Sequence, residues 1–197
     1  MPKRIIVCIS GSGSNLQAII DAVAAKKINA EIILVVSNRK AAYGLTRAQQ
    51  AGIPTHYEPL KPFLDRGQTR ADYDAHLAEQ LAPYNADLIV LAGWMHIFSS
   101  AFINHFAGKV INLHPALPDA FPGLHAIERT YEAYQNGQVS HGGCMIHYVI
   151  PEVDAGEVIK QAIVPISPDD TLETFEENMH RAEHKLFVEA LELLCNH

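Results

Sequence analysis

Two stretches near the start, residues 4–9 (RIIVCI) and 31–37 (EIILVVS), are almost wholly apolar and rich in β-branched side chains, with no alternation of polar and apolar positions. A strand with one wet face would alternate, so a continuous run of this length belongs to a strand covered on both faces. Such strands occur in parallel sheets whose crossovers are helices. The intervening residues supply them: Leu16, Ile19, Ile20 and Val23 recur at helical spacing, a shorter helix is expected from Leu45 to Ala51, and a third from Tyr73 to Leu81. Residues 87–93 and 109–114 read as two further strands, with a helix near 99–106 between them. Right-handed crossovers in this strand-helix alternation predict an α/β, doubly wound, Rossmann-like sheet.

The later part of the chain changes grammar. Residues 144–150 and 157–165 read as strands joined by the short segment 151–156, close enough to form an antiparallel pair, so the mostly parallel sheet should have a mixed, partly antiparallel C-terminal edge. Segments 58–69 and 115–125, punctuated by proline and glycine, read as loops, and a long helix with an acidic, capped start follows residue 170. At 197 residues one domain is expected. Lysine and arginine number 15 against 22 acids, a net charge of −7, which repels nucleic acid and anionic membranes. The three cysteines lie far apart, no stretch of ~18 apolar residues occurs and no leader is evident, so a cytoplasmic protein is expected.

Two places carry candidate chemistry. Gly11, Ser12, Gly13, Ser14 and Asn15 stand between the first strand and its helix, where free backbone N–H groups and the positive helix end favour an anion. Leu16 replaces the third glycine of a dinucleotide fingerprint, and Asn38 stands where an acid would hold a ribose, which leaves a small phosphate ester or a plain turn. Asn112 and His114, two residues apart in a strand that Pro115 ends, point to one face at the sheet's C-terminal edge. An amide and a protonated imidazole there could polarise a carbonyl and stabilise an oxyanion, with Asp154 in the 151–156 segment the candidate to raise the His114 pKa. A strand-end histidine satisfied by its surroundings and a turn aspartate are the plainer alternatives. The eleven histidines show no metal-ligand spacing beyond His180 and His184, four apart on one helix.

Taken together, S-G-S-G-S-N-L-Q-A-I-I at 10–20, L-A-G-W-M-H-I-F at 91–98, I-N-L-H-P at 111–115, F-P-G-L-H-A at 121–126 and V-D-A-G-E-V-I at 153–159 resemble, in order and spacing, the phosphoribosylglycinamide formyltransferase family. Related formyl-transfer enzymes share Asn-x-His-Pro but carry additional domains that this chain is expected to lack. The resemblance implies the formyltransferase fold and transfer of a formyl group from 10-formyltetrahydrofolate to the amine of 5′-phosphoribosylglycinamide, with no metal. It assigns catalysis to Asn112, His114 and Asp154, the substrate phosphate to Gly13, Ser14 and Asn15, and a glycinamide contact to Glu183. The folate would lie along Met95, His96, Ile97 and Phe98, with Asn112, the backbone of 149–154, and Arg70 facing its glutamate tail. Residues 1–108 would form the phosphate half and 109–197 the folate and catalytic half, in a monomer or a homodimer.

Three positions depart from the commoner pattern of that family. His96 follows Met95 where members often carry arginine; the loop reads Pro115-Ala-Leu-Pro-Asp119; and His180 stands where some relatives have a basic residue, which would make phosphate affinity depend on pH. Other readings are the same chemistry on a different amine, such as an amino sugar, and a phosphosugar-binding module in which Asn112 and His114 only position a ligand. A nicotinamide-dependent oxidoreductase is opposed by Leu16 and Asn38.

Overall fold

The computed structural model describes residues 1–196. Seven strands form one sheet in the order β3-β2-β1-β4-β5-β6-β7, where β1 is Lys3–Ile9, β2 Ala30–Ser37, β3 Thr55–Tyr57, β4 Leu88–Leu91, β5 Val110–His114, β6 His141–Tyr148 and β7 Val158–Pro165. The first five are parallel; β6 runs antiparallel to β5, and β7 to β6. The helices are α1 Ser14–Ala24, α2 Tyr43–Gln50, α3 Lys61–Asp65, α4 Arg70–Leu81, α5 Ser100–His105, α6 Ala126–Gln135 and α7 Leu172–Cys195.

Strand β1 shows why the apolar runs carry no alternation. Ile5, Val7 and Ile9 pack into one core with Leu16 and Ile19 of α1 and with Phe175, Leu186 and Phe187 of α7. Ile6 and Cys8 pack into the other, with Tyr73 and Leu77 of α4 and Phe102 of α5. Each face of the strand is buried, and all five of these β1 side chains are 0% exposed. The doubly wound sheet with its antiparallel edge is therefore as the pattern predicts. No helix among the described residues is long and apolar enough to cross a membrane.

The structure adds α3, β3 and α6, and it starts α4 and β6 three residues earlier than the pattern suggests, at Arg70 and His141. Helix α6 fully buries only small side chains, Ala126, Thr130 and Ala133, while Ile127, Tyr131 and Tyr134, at helical spacing, pack partly buried against the core. Helix α3 lies inside the segment read as loop, and β3 is only three residues long. Strand β6 starts at His141 rather than 144, through Gly142 and Gly143. There glycine makes room for packing: a Cβ at 142 would stand 2.6 Å from the Phe175 ring. The expected halves 1–108 and 109–197 share this single sheet.

Candidate active site

A cavity of about 560 Å³ opens where β1, β4 and β5 end, which is where open parallel sheets hold ligands. The glycine loop 11–15 lines one end, residues 94–98 with Val149, Ile150 and Val153 line the other, and Asn112, His114, His147 and Asp154 stand in the lining as well.

At the first end, Gly13 is the N-cap of α1 and no side chain caps the helix, so its first-turn N–H groups are left for a ligand. Gly13 has φ +71°, and a Cβ there would meet Gly44 Cα of α2 at 2.6 Å, so both backbone conformation and helix contact demand glycine. The loop is tied to α2 by Gly44 N–H donating to the Gly11 carbonyl at 3.1 Å and by Arg47 Nε to the Ser12 carbonyl at 2.9 Å. Asn15 turns its Nδ2 to Glu183 Oε2 at 3.2 Å, while Asn15 Oδ1 is buried without a partner. Burial raises the Glu183 pKa, opposed by that hydrogen bond and by the charge of His180. Residues 180 and 183 come from α7, so each half of the chain contributes to this end.

Near the centre, Asn112 and His114 project from the last turnless stretch of β5, as the alternation predicts. His114, 4% exposed, lies between two acceptors: Nε2 donates to the Phe121 carbonyl at 3.1 Å, and Nδ1 is 3.3 Å from Asp154 Oδ2. Burial pushes the His114 pKa below the ordinary histidine value; the Asp154 charge and the Phe121 carbonyl oppose this without cancelling it. The expected upward push from Asp154 is present, but desolvation outweighs it, because the imidazole sits deeper than a strand-end position suggests. Asp154 is a non-glycine residue at φ +53°. Its burial alone would raise its pKa, yet the His147 hydrogen bond, the Gly123 N–H at 2.9 Å and the charges of His114 and His147 hold the carboxylate below the usual aspartate value.

His147 was not singled out from the sequence. It lies opposite Asn112 in the β5–β6 ladder, and its Nδ1–H donates to its neighbour Tyr148's carbonyl at 2.9 Å. Its Nε2 therefore faces inward, 3.3 Å from Asn112 Nδ2 and 3.5 Å from Asp154 Oδ1. The neutral ring accepts from the amide; a protonated ring would donate to the carboxylate. A histidine in an apolar strand is visible in the sequence, but its partner is set only by the antiparallel register.

At the second end, Met95 and Ile97 are exposed, whereas Phe98 is buried in a stack between Trp94 and Phe102. Trp94 and His96 both line the cavity, and the Nε1 of the one and the Nδ1 of the other are buried without a hydrogen-bond partner. Burial, with the charges of Arg70 and Arg39, lowers the His96 pKa. Ser10 Oγ donates to Asn38 Oδ1 at 2.7 Å and accepts from Met95 N–H at 2.9 Å, which pins this segment to the end of β1. Arg70 does not line the cavity; it bonds Asp74 and the Ile97 carbonyl. Among the described residues no group of three or more His, Cys, Asp or Glu is arranged to hold a metal ion.

A parallel sheet with an antiparallel edge, a glycine-loop anion end and an Asn-x-His strand end beside a loop aspartate define a group-transfer enzyme of one kind, and the chain belongs to the formyl transferase family, whose profile matches residues 3–191. It is 48% identical over 203 residues to the phosphoribosylglycinamide formyltransferase of Dictyostelium discoideum, covering 98% of each chain. It is 43% identical to part of the trifunctional purine biosynthetic protein adenosine-3 of Drosophila melanogaster, matching 98% of this chain and 14% of that one. The crystal structure of glycinamide ribonucleotide transformylase 1 from Symbiobacterium toebii superposes with a TM-score of 0.90 at 38% identity, over 98% of this chain and 87% of that one.

Proposed function

We propose that this enzyme transfers the formyl group of 10-formyltetrahydrofolate to the amine of 5′-phosphoribosylglycinamide, a step of purine synthesis. The observation that carries the reading is His114, held between a carboxylate and a carbonyl next to Asn112, in a cavity with an anion-binding loop at one end and an apolar slot at the other.

Gly13, Ser14 and Asn15 hold the ribose phosphate on backbone N–H groups, and Glu183 and Asn15 present a polar wall to the glycinamide. The slot formed by Trp94, Met95, Ile97 and Phe98 suits a flat heterocycle that is apolar on its faces. 10-Formyltetrahydrofolate supplies an activated formyl carbon there. Asn112 offers its second amide N–H and His114 its Nε2–H to the oxyanion that forms as the amine adds, the oxyanion taking the place of the Phe121 carbonyl at Nε2. Asp154, facing Nδ1, stabilises the imidazolium that this requires and relays the amine proton through water to the departing nitrogen. These protein donors do the electrophilic work without a metal. The chain acts as a single catalytic domain on small molecules, in the cytoplasm, as a monomer or a homodimer; its three free, buried cysteines suit a reducing compartment.

The test is absorbance-monitored release of tetrahydrofolate with and without phosphoribosylglycinamide, on the wild type and on His114→Ala. Release that needs the amine and collapses in the variant is the expected result. Release without the amine identifies a deformylase instead, and none at all refutes the transfer.

A further inference from the structure

The loop that supplies partners to both His114 and Asp154 stands on strained backbone. Asp119, Phe121 and His125 have φ of +62°, +48° and +58°, with Gly123 at +83° among them. Non-glycine residues hold such angles only where their surroundings compensate, and Arg129 of α6 supplies contacts that do so. Its Nη1 donates to the Pro122 carbonyl at 2.8 Å and lies 3.5 Å from the Leu124 carbonyl, and its guanidinium stands 5.7 Å from the centre of the Phe121 ring. The Pro122 carbonyl belongs to the same peptide group as the Gly123 N–H, and that N–H donates to Asp154 Oδ2 at 2.9 Å. One peptide plane is thus strung between a guanidinium and a carboxylate, its oxygen turned to the one and its N–H to the other. The same Oδ2 faces His114 Nδ1 at 3.3 Å.

We infer that Arg129 is a positioning residue for formyl transfer: by holding the Pro122 carbonyl it keeps the 122–123 peptide turned so that its N–H anchors Asp154 against His114. The inference rests on the role of Asp154 in the proposed reaction. A peptide that precedes glycine is the easiest to turn over, because glycine accepts the backbone angles of either orientation. Turned over, this one would present its oxygen to the carboxylate, and Oδ2 would lose its donor. The guanidinium opposes that with a charge-assisted bond and, by polarising the peptide, strengthens the N–H as a donor on the far side.

The test is a mutant cycle on tetrahydrofolate release with phosphoribosylglycinamide, using Arg129→Met, Arg129→Lys, Asp154→Gly and the double variant Arg129→Met/Asp154→Gly. Arg129 is exposed, so its substitutions leave the core intact, and glycine suits the φ of +53° at 154 while leaving the peptide nothing to anchor. Arg129→Met lowers kcat about tenfold, a typical loss for one charge-assisted hydrogen bond, with the KM for phosphoribosylglycinamide within about twofold of wild type. Arg129→Lys recovers most of that loss, since both loop carbonyls face the single nitrogen Nη1 and one ammonium can serve them. In the Asp154→Gly background Arg129→Met changes kcat by less than about twofold, because the group it acts through is gone. An equal loss in both backgrounds places the effect of Arg129 outside Asp154 and overturns the proposal. So does an unchanged kcat in Arg129→Met, a loss that Arg129→Lys does not recover, or a loss confined to KM. Full kcat in Asp154→Gly refutes instead the role of Asp154 on which the proposal rests, and a wild type without transfer refutes the reading of the reaction itself.

Discussion

The two polar regions of the cavity are built from different materials. The glycine-loop end is backbone: an uncapped helix start, Gly13 at φ +71° and a second helix pressed against it at Gly44. Its donors are several, carry no titrating proton, and are set by the fold of α1 and α2. The Asn112–His114 end is side chain: two nearly buried imidazoles, His114 and His147, one carboxylate and one amide, linked through contacts of 3.3 to 3.5 Å. Charge there is balanced against burial: burial prevails at His114 and lowers its pKa, while hydrogen bonds and the histidine charges prevail at Asp154 and lower its own. Binding spread over backbone tolerates the loss of any one side chain; chemistry concentrated in one imidazole does not. The two ends should therefore fail in different kinetic parameters.

The largest effect is expected from His114→Ala, with kcat falling by about 10²–10⁴ and the KM for phosphoribosylglycinamide little changed, as steady-state kinetics will show. A matching rise in that KM would merge the two regions into one. Asp154→Asn comes next, with a loss of about 10² in kcat and a second, sharper signature. The reaction needs the His114 imidazolium, so kcat/KM falls as pH rises through a pKa already below the ordinary histidine value. Asp154 pushes that pKa up, so its neutralisation moves the limb to still lower pH; an unmoved profile removes the coupling. Gly13→Ala attacks the other end. The strained φ and the collision with Gly44 displace the first turn of α1, raising the KM for phosphoribosylglycinamide about tenfold with kcat nearly intact.

The smallest effect is on stability. Because His114 is depressed in the fold, the stability it contributes is complete above the unfolded histidine value of about 6.5 and is lost as pH falls toward its own lower pKa. Asp154 acts with the same sign further down, below the ordinary aspartate range. The Tm should thus drop by a few degrees between pH 7.5 and 5.5, and His114→Gln should flatten that slope. A slope unchanged by the substitution would assign it to His96 or His184, whose pKa values burial also lowers.

Much of this could be read from residue patterns. The unalternating runs of β1 and β2 required a sheet covered on both faces, and Pro115 marked the strand end that presents Asn112 and His114. Helix α6 escaped although Ile127, Tyr131 and Tyr134 recur at helical spacing and pack against the core; its fully buried residues are only the small Ala126, Thr130 and Ala133. His147 escaped for a different reason: nothing in Cys144-Met-Ile-His147 names Asn112 as its partner until β6 pairs with β5. Arg70 was visible as a cation, but its bonds to Asp74 and to the Ile97 carbonyl were not, because Asp74 looks like any helix carboxylate until α5 and its entering loop are packed on α4.

What the sequence by itself determined is local: which runs are strands, where the helix-start glycines leave N–H groups free, and which polar residues share a strand face. Those properties follow from periods of two and 3.6 residues and from the conformations that glycine and proline allow. Tertiary structure alone decided which groups meet across more than thirty residues: Asp154 with Gly123, His147 with Asn112, Glu183 with Asn15. It also decided the direction of the His114 pKa. Desolvation depends on everything packed around a group, whereas the charge of Asp154 is a single neighbour, and here the burial is the larger effect.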